Sequence, residues 1–414
     1  MKEPEHIKSW VLPWPGLLTA NNWRTSMSEA LSEMFPTNTV VVGPPLPPSS
    51  FSLTLTMFSS FLGVRGFWII DTVIRPFCLT CWYSLRKPWK LGRPNPGGQL
   101  GKAVQKRRGV EHGPKAIRDA GLIERLSNLD YPVHDFGDLS FQNLDKDEPY
   151  MQVPFPRSVG RANKLLSEAV GSAVASGHTT VMLGGDHSLA IGSVEGHARQ
   201  CPDLCLIWVD AHADINTPLT SPSGNLHGQS VAFMLKELQN KMPELPGFSW
   251  VKPFLSAKDL VYIGLRDVDP GEYDILKELG IQCFTMRDID RLGIQRVMEV
   301  TLDHLLSRKQ RPIHLSFDID AMDPSLAPAT GTPVNGGLTY REGIWITEEI
   351  HNTGLLSVMD LVEVNPVLGA SREAVEVTAS LAVDIIASSL GQSRQGGPIA
   401  QTQTLKDDTE QLRL

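Results

Sequence analysis

Cysteine is scarce: the 414-residue chain has five, with no framework spacing. It is therefore not a small secreted domain stapled by disulfides, and a reducing compartment is the expectation. Positive charge is not in excess either. With 38 Lys plus Arg against 46 Asp plus Glu, the formal net charge is −8, which excludes nucleic-acid binding through bulk positive charge. Long hydrophobic runs are also lacking. Prolines cut the uncharged stretch Thr37–Val64 to about sixteen residues, short of the ~20 that a spanning helix needs, so no membrane span is expected. What remains is a polar, globular composition with 41% apolar residues and enough length to bury a large core.

That composition is uneven. Residues 1–100 hold nine basic and five acidic side chains, six of the nine Trp and twelve of the thirty Pro, whereas the rest carries 29 basic and 41 acidic. The first hundred residues show no sustained periodicity and are expected to be an atypical, mostly irregular segment. Within them, Phe67–Tyr83 reads as a surface-docking helix or as disorder. Glu3, Glu5, Glu29 and Glu33 come early, with Arg24 the only Arg before Arg65, which makes a poor mitochondrial presequence. Lys102, Lys106, Arg107 and Arg108 read as a solvated basic face. The polar residues 398–414 form a tail, and the main folded domain is placed at 101–397.

From about Gly109 the pattern changes to short apolar runs separated by helical stretches. The runs are Thr180–Leu183, Leu204–Val209, Leu260–Ile263, Pro312–Phe317 and Ser357–Val362; the helices include Arg161–Ser176, Gly293–Ser307 and Ala374–Ser389. Nearly continuous apolar strands alternating with helices predict an α/β fold with a mostly parallel sheet covered on both faces.

Three of these strands run directly into ligand-type residues: Gly184-Gly-Asp-His187, Asp210-Ala-His-Ala-Asp214 and Asp318-Ile-Asp320. If extended geometry continues past Val209, then Asp210, His212 and Asp214 point to one side. In a parallel sheet the strand C-termini share one edge, where open α/β folds place their ligands. A single Asp-x-Asp is ordinarily a solvated loop or helix cap, and a lone His a satisfied core residue. Three such motifs at three strand ends instead predict convergence. Four carboxylates buried together would cost several kcal/mol per charge without cations, so two divalent ions are expected. Oxygen-rich ligation with two imidazoles favours a hard ion such as Mn²⁺, and Cys205 lies inside a strand, not needed as a ligand.

Together, Gly184-Gly-Asp-His-Ser188, Asp210-Ala-His-Ala-Asp-Ile-Asn216, Ser223-Gly-Asn-Leu-His-Gly228, Ser316-Phe-Asp-Ile-Asp320 and Glu363-Val-Asn-Pro366 resemble the ureohydrolase family, most closely its arginases. The resemblance runs from about Gly109 to Gly397, roughly seven tenths of the chain. Leu245–Trp250 and Met286–Gly293 resemble the type II, mitochondrial branch of vertebrates. The resemblance implies a three-layer αβα sandwich of the arginase/deacetylase type with two Mn²⁺ per subunit. Asp210 and Asp318 would bridge the ions, His187 and Asp214 would complete one site, and His212 and Asp320 the other. It further implies hydrolysis of L-arginine to L-ornithine and urea by a metal-bridging hydroxide. Asp214 would relay a proton to the departing amine, His227 would act as proton shuttle with a pKa near the working pH, and Glu363 would pair with the guanidinium.

By the same resemblance Asn216, Ser223 and Asn225 would contact the substrate carboxylate, Asp269 and Glu272 its amine, and Thr332 would line the site. Agmatine lacks the carboxylate, so these polar loops argue against the alternative of an agmatinase or other guanidino-compound hydrolase. A catalytically silent, arginase-like binding or regulatory protein is the alternative from another class. The resemblance also implies a homotrimer, with Arg341, Glu342 and Arg394 at an inter-subunit ion-pair cluster, and a mitochondrial location, the cytoplasm being the alternative. In the family a first strand precedes the segment seen here as Gly109-Val-Glu-His-Gly-Pro114. Residues 97–108 are too polar to replace it; either Thr39-Val-Val-Val-Gly-Pro44 fills the slot, or the first hundred residues come from alternative or mispredicted coding sequence and the protein folds poorly.

Overall fold

The computed structural model describes residues 108–394, apart from 130, 131, 142, 143 and 145, together with the backbone of residues 77–80. These belong to the unit Asp71–Leu414 of a chain that divides into two, the other being Met1–Ile70. The expectation for residues 39–44 lies outside the described residues.

In chain order the elements are β1 (Phe77–Thr80), α1 (Gly113–Asp119), α2 (Leu122–Ser127), α3 (Pro156–Ala175), β2 (Thr179–Leu183), α4 (Ala190–Gln200), β3 (Cys205–Val209), β4 (Leu260–Leu265), α5 (Pro270–Leu279), β5 (Gln282–Thr285), α6 (Met286–Leu292), α7 (Ile294–Leu306), β6 (Ile313–Asp318), α8 (Tyr340–Asn352), β7 (Leu356–Val362) and α9 (Arg372–Ser389). The seven strands form one sheet in the order β1-β2-β7-β6-β3-β4-β5, and every neighbouring pair is parallel. The five strands expected from apolar runs are all present within one or two residues of their expected ends. β5 escaped notice because Gln282 and Thr285 break its apolar character.

The strands β2, β3, β4, β6 and β7 are buried along their whole length, as a sheet covered on both faces requires. On one face Ile207, Val209, Ile263, Leu315 and Phe317 pack with α7, α8 and α9 through residues such as Val297, Ile346 and Ile386. On the other, Leu206, Trp208, Leu260 and Tyr262 pack with α3, α4 and α5 through Val159, Ile191 and Ile275. Each fully buried aliphatic contributes about 1.5–3 kcal/mol, so this double layer fixes the strand ends firmly. The helices α3 and α4 approach closely: a Cβ on Gly192 would sit 2.3 Å from the Asn163 carbonyl oxygen, so no other residue fits there.

Phe77–Thr80 overturns one expectation. These four residues, inside the segment read as a docking helix or disorder, pair in parallel with Thr179–Met182. An edge strand is held by backbone hydrogen bonds on one side only and needs no buried apolar run, so composition did not reveal it. Among the described residues, no helix is long and apolar enough to cross a membrane.

Candidate metal and substrate site

All parallel strands end on the same edge, and the ligand-type side chains converge there. From the turn after β2, His187 places Nδ1 3.0 Å from Asp210 Oδ2, 3.2 Å from Asp214 Oδ2 and 3.2 Å from Asp318 Oδ2. His212 places its Nδ1 3.3 Å from Asp210 Oδ1 and 3.2 Å from Asp320 Oδ2. The six side chains thus form two groups, His187–Asp210–Asp214 and Asp210–His212–Asp320, each able to hold a metal ion, and Asp210 belongs to both. Asp318 joins through His187.

Convergence does not come from strand alternation, as extended geometry had suggested. The chain bends at Asp210–His212, and Asp214 adopts a left-handed backbone with φ 51°. Glu363 is also left-handed, with φ 65°. Each such non-glycine residue costs on the order of 1–3 kcal/mol and persists where the surroundings over-determine it, typically at a functional site.

The electrostatics call for cations. Burial, then the charge of Asp210, pushes the Asp214 carboxyl up to about 7. Burial and the charges of Asp320 and Asp210 likewise push Asp318 well above the carboxylate range. Burial opposes charge on Asp210 too, but His187 and His212 outweigh it and hold this carboxyl low. The same partners overcome burial and raise both imidazoles well above their ordinary value. The group therefore balances its charge with protons where cations could do so. His187 Nδ1, buried among three carboxylates, is aligned with none of them for a hydrogen bond. With a cation in place of those protons, Nδ1 would turn its lone pair to the point that the carboxylate oxygens share, and the oxygen-rich donor set suits a hard divalent metal. Cys205 takes no part: its buried thiol is pushed up to about 12.

Neighbours that the sequence did not single out hold these ligands. Trp208 stacks on His187 with ring centroids 4.0 Å apart and donates from Nε1 to Asp210 Oδ2 at 2.9 Å. Ser316 Oγ lies 2.9 Å from His187 Nε2. Arg266 donates to the carbonyls of Asp320, Ala321 and Val334, clamping the turn after β6, and Asp267 approaches His212 Nε2 at 3.7 Å. Trp208 and Ser316 stand two residues before Asp210 and Asp318, so period-two alternation was the signal available for both.

Of the expected substrate residues, Glu363 is buried and accepts the His187 backbone N–H through Oε1 at 2.8 Å. Asn216 donates to Asp269 Oδ2 at 2.9 Å. Glu272 caps α5, accepting from the Asp269 and Ile215 backbone N–H groups. Burial, then the Asp214 charge, pushes its carboxyl up to about 8. Ser223 accepts from the Asn225 backbone N–H at 3.2 Å, and Thr332 donates to Asp320 Oδ2 at 2.9 Å. His227 is the second residue of the 3-10 helix Leu226–Phe233, and its Nδ1 is buried without a hydrogen-bond partner. Burial and the nearby His212 and His187 push its imidazole down to about 4, below the working-pH value expected of it. Arg394 pairs with Glu348 and Glu342 caps α8 through Thr339, so both have partners within their own chain.

A parallel three-layer fold with two adjoining Asp/His clusters on its carboxyl edge defines an α/β protein whose sheet edge carries a candidate divalent-metal site. The arginase-family profile matches residues 97–391, and the chain belongs to that family. It is 67% identical over 300 residues to the mitochondrial arginase-2 of Homo sapiens, covering 72% of this chain and 85% of that one. It is 65% identical over 322 residues to a non-hepatic arginase of Xenopus laevis, covering 75% and 89%. Among solved structures, the arginase of Bacillus caldovelox aligns with a TM-score of 0.67 at 36% identity, over 78% of this chain and 100% of that one.

Proposed function

We propose that this chain hydrolyses L-arginine to L-ornithine and urea with two Mn²⁺ held by His187, Asp210, His212, Asp214, Asp318 and Asp320. The observation that carries the reading is the convergence of these six side chains on one sheet edge, with Asp210 common to both groups. Two divalent cations bound there would bring the pKa of a shared water towards neutrality. The remaining chemistry falls to the chain. Glu363 offers a buried carboxylate to the guanidinium, whose planar fork of donors suits a carboxylate acceptor, and so holds the electrophilic carbon over the cluster. Asp214 turns Oδ2 to His187, and the other oxygen of its carboxylate could hold a proton and pass it to the departing amine. His227, kept neutral by its surroundings, can take a proton and return it to solvent.

The α-carboxylate is read by Asn216, Ser223 and Asn225 on the loop before the 3-10 turn, and the α-amine by Asp269. Glu272 supports the amine subsite indirectly, because both of its oxygens already accept backbone N–H groups. Thr332 lines the site through Asp320. The names of the curated mammalian relatives support a mitochondrial location, and family membership supports a trimer. The test is urea release from L-arginine after Mn²⁺ loading, with agmatine in parallel. Turnover of arginine alone is expected. Urea from agmatine in preference would favour a decarboxylated substrate, and no urea from either substrate by a folded, metal-loaded protein would overturn the enzyme reading.

A further inference from the structure

Behind the metal cluster, inside the layer between the sheet and α4, lies a polar column that the chemistry above does not use. Asp360 is in the middle of β7, paired in register with Ser316 of β6 and Met182 of β2. Its carboxylate accepts from three groups: Ser193 Oγ through Oδ1, His314 Nε2 at 3.0 Å and Ser316 Oγ at 3.3 Å, both through Oδ2. His197 Nδ1 lies 3.2 Å from His314 Nδ1. Ser193, His197, His314, Ser316 and Asp360 are all fully buried. Around them the packing is apolar, with Leu166, Met182, Val358 and Val362. Polar groups in such a place destabilise unless every hydrogen bond is made, so the column calls for a reason beyond packing.

Proton bookkeeping along the column gives one. A carboxylate only accepts, so Ser316 gives Asp360 its single hydroxyl proton. The Ser316 oxygen can then only accept from His187 Nε2, 2.9 Å away, and His187 carries its proton on Nε2. When the ring is neutral, as a metal ligand must be, Nδ1 is then left with its lone pair facing Asp210, Asp214 and Asp318. His314 gives its Nε2 proton to the same carboxylate, so its Nδ1 accepts from His197. Burial, then the neighbouring His314, hold the His197 pKa well below the ordinary range, consistent with a neutral donor whose Nε2 has no partner.

We propose that Asp360, which touches neither a metal ligand nor substrate, is a positioning residue that sets the His187 tautomer through Ser316 and so tunes one of the two metal sites. This rests on the binuclear reading above. Outer partners of ligating histidines typically affect metal affinity ~10–100-fold, which sets the scale of the effect.

The test is Mn²⁺ titration, with bound ions counted by EPR, of the wild type, Asp360→Asn, Ser316→Ala and the double variant. Two ions on the wild type check the binuclear reading itself; a wild type that binds none overturns both proposals. Asp360→Asn keeps the shape and removes the charge. It is expected to weaken one binding step about tenfold and leave the other within about twofold, with turnover restored at saturating Mn²⁺ and KM for arginine unchanged. In the Ser316→Ala background the same change is expected to add nothing to metal affinity, because the link is already cut. Unchanged affinity at both steps, or an equal loss in both backgrounds, overturns the proposal. Should Asp360→Asn not fold, Ser193→Ala replaces it. That change takes the donor from Oδ1 and loosens the carboxylate, so the same binding step should weaken in the wild-type background and not in the Ser316→Ala background; no weakening in either would overturn the proposal.

Discussion

The floor of the site and its rim are built differently. The floor consists of strand ends: His187, Asp210, Asp318, Asp320 and Glu363 are all at most 3% exposed and are held by further side chains or backbone. The rim consists of loops: Ser223 and Thr332 are exposed, and Asn225 and His227 are half-buried. A rigid floor fixes ligands to within the tolerance that a metal demands, whereas a rim on loops can admit, orient and release a substrate. The contrast predicts that floor substitutions act on metal binding and rim substitutions on substrate handling.

Asp210→Ala gives the largest expected effect. Because this carboxylate belongs to both metal groups, turnover should fall about 10³-fold along with Mn²⁺ stoichiometry; measured metal content near two with unchanged turnover would break the contrast. His227→Asn tests the rim. It should lower kcat by about 10²-fold while both ions stay bound, and loss of metal would move His227 to the floor. Asn225→Ala should be milder, raising KM for arginine about tenfold, the equivalent of a net hydrogen bond at ~1.4 kcal/mol. Steady-state kinetics at saturating Mn²⁺ would show whether kcat is spared.

The smallest effect sharpens the floor's support. The folded-state pKa of His197 is held well below its ordinary 6.5, so an unfolded chain binds a proton there that the folded chain refuses. Its contribution to stability is present above pH 6.5 and is lost as the pH falls below it. The melting temperature of the wild type should therefore drop between pH 7 and pH 5 by about 2 °C more than that of His197→Asn. Equal slopes in thermal melts would mean that His197 takes up its proton as readily in the folded chain as in the unfolded one.

Much of the floor was legible because its chemistry is local. An apolar run that ends in Asp-x-His or Asp-x-Asp marks a strand end, and parallel strands bring their ends to one edge. The rim was legible only through resemblance, since Ser223-Gly-Asn225 and Asp269 carry no signal of their own that distinguishes a substrate loop from a solvated turn. The supports were the least legible. Arg266, Asp267 and Asp360 each act on residues far along the chain, and period alone could nominate only Trp208 and Ser316.

The sequence by itself determined five of the seven strands, the six ligand types and the demand for cations, because each follows from hydrophobic runs and from charges placed at their ends. The tertiary structure decided which partners those ligands meet. It placed Asp210 in both groups, it set Asp214 and Glu363 in left-handed backbone to reach the cluster, and it gave the slot beside β2 to Phe77–Thr80. It also brought Asp360 of β7 alongside Ser316 of β6. The physical reason is that register and bends are fixed by packing between elements distant in sequence, and no local pattern encodes a neighbour more than forty residues away.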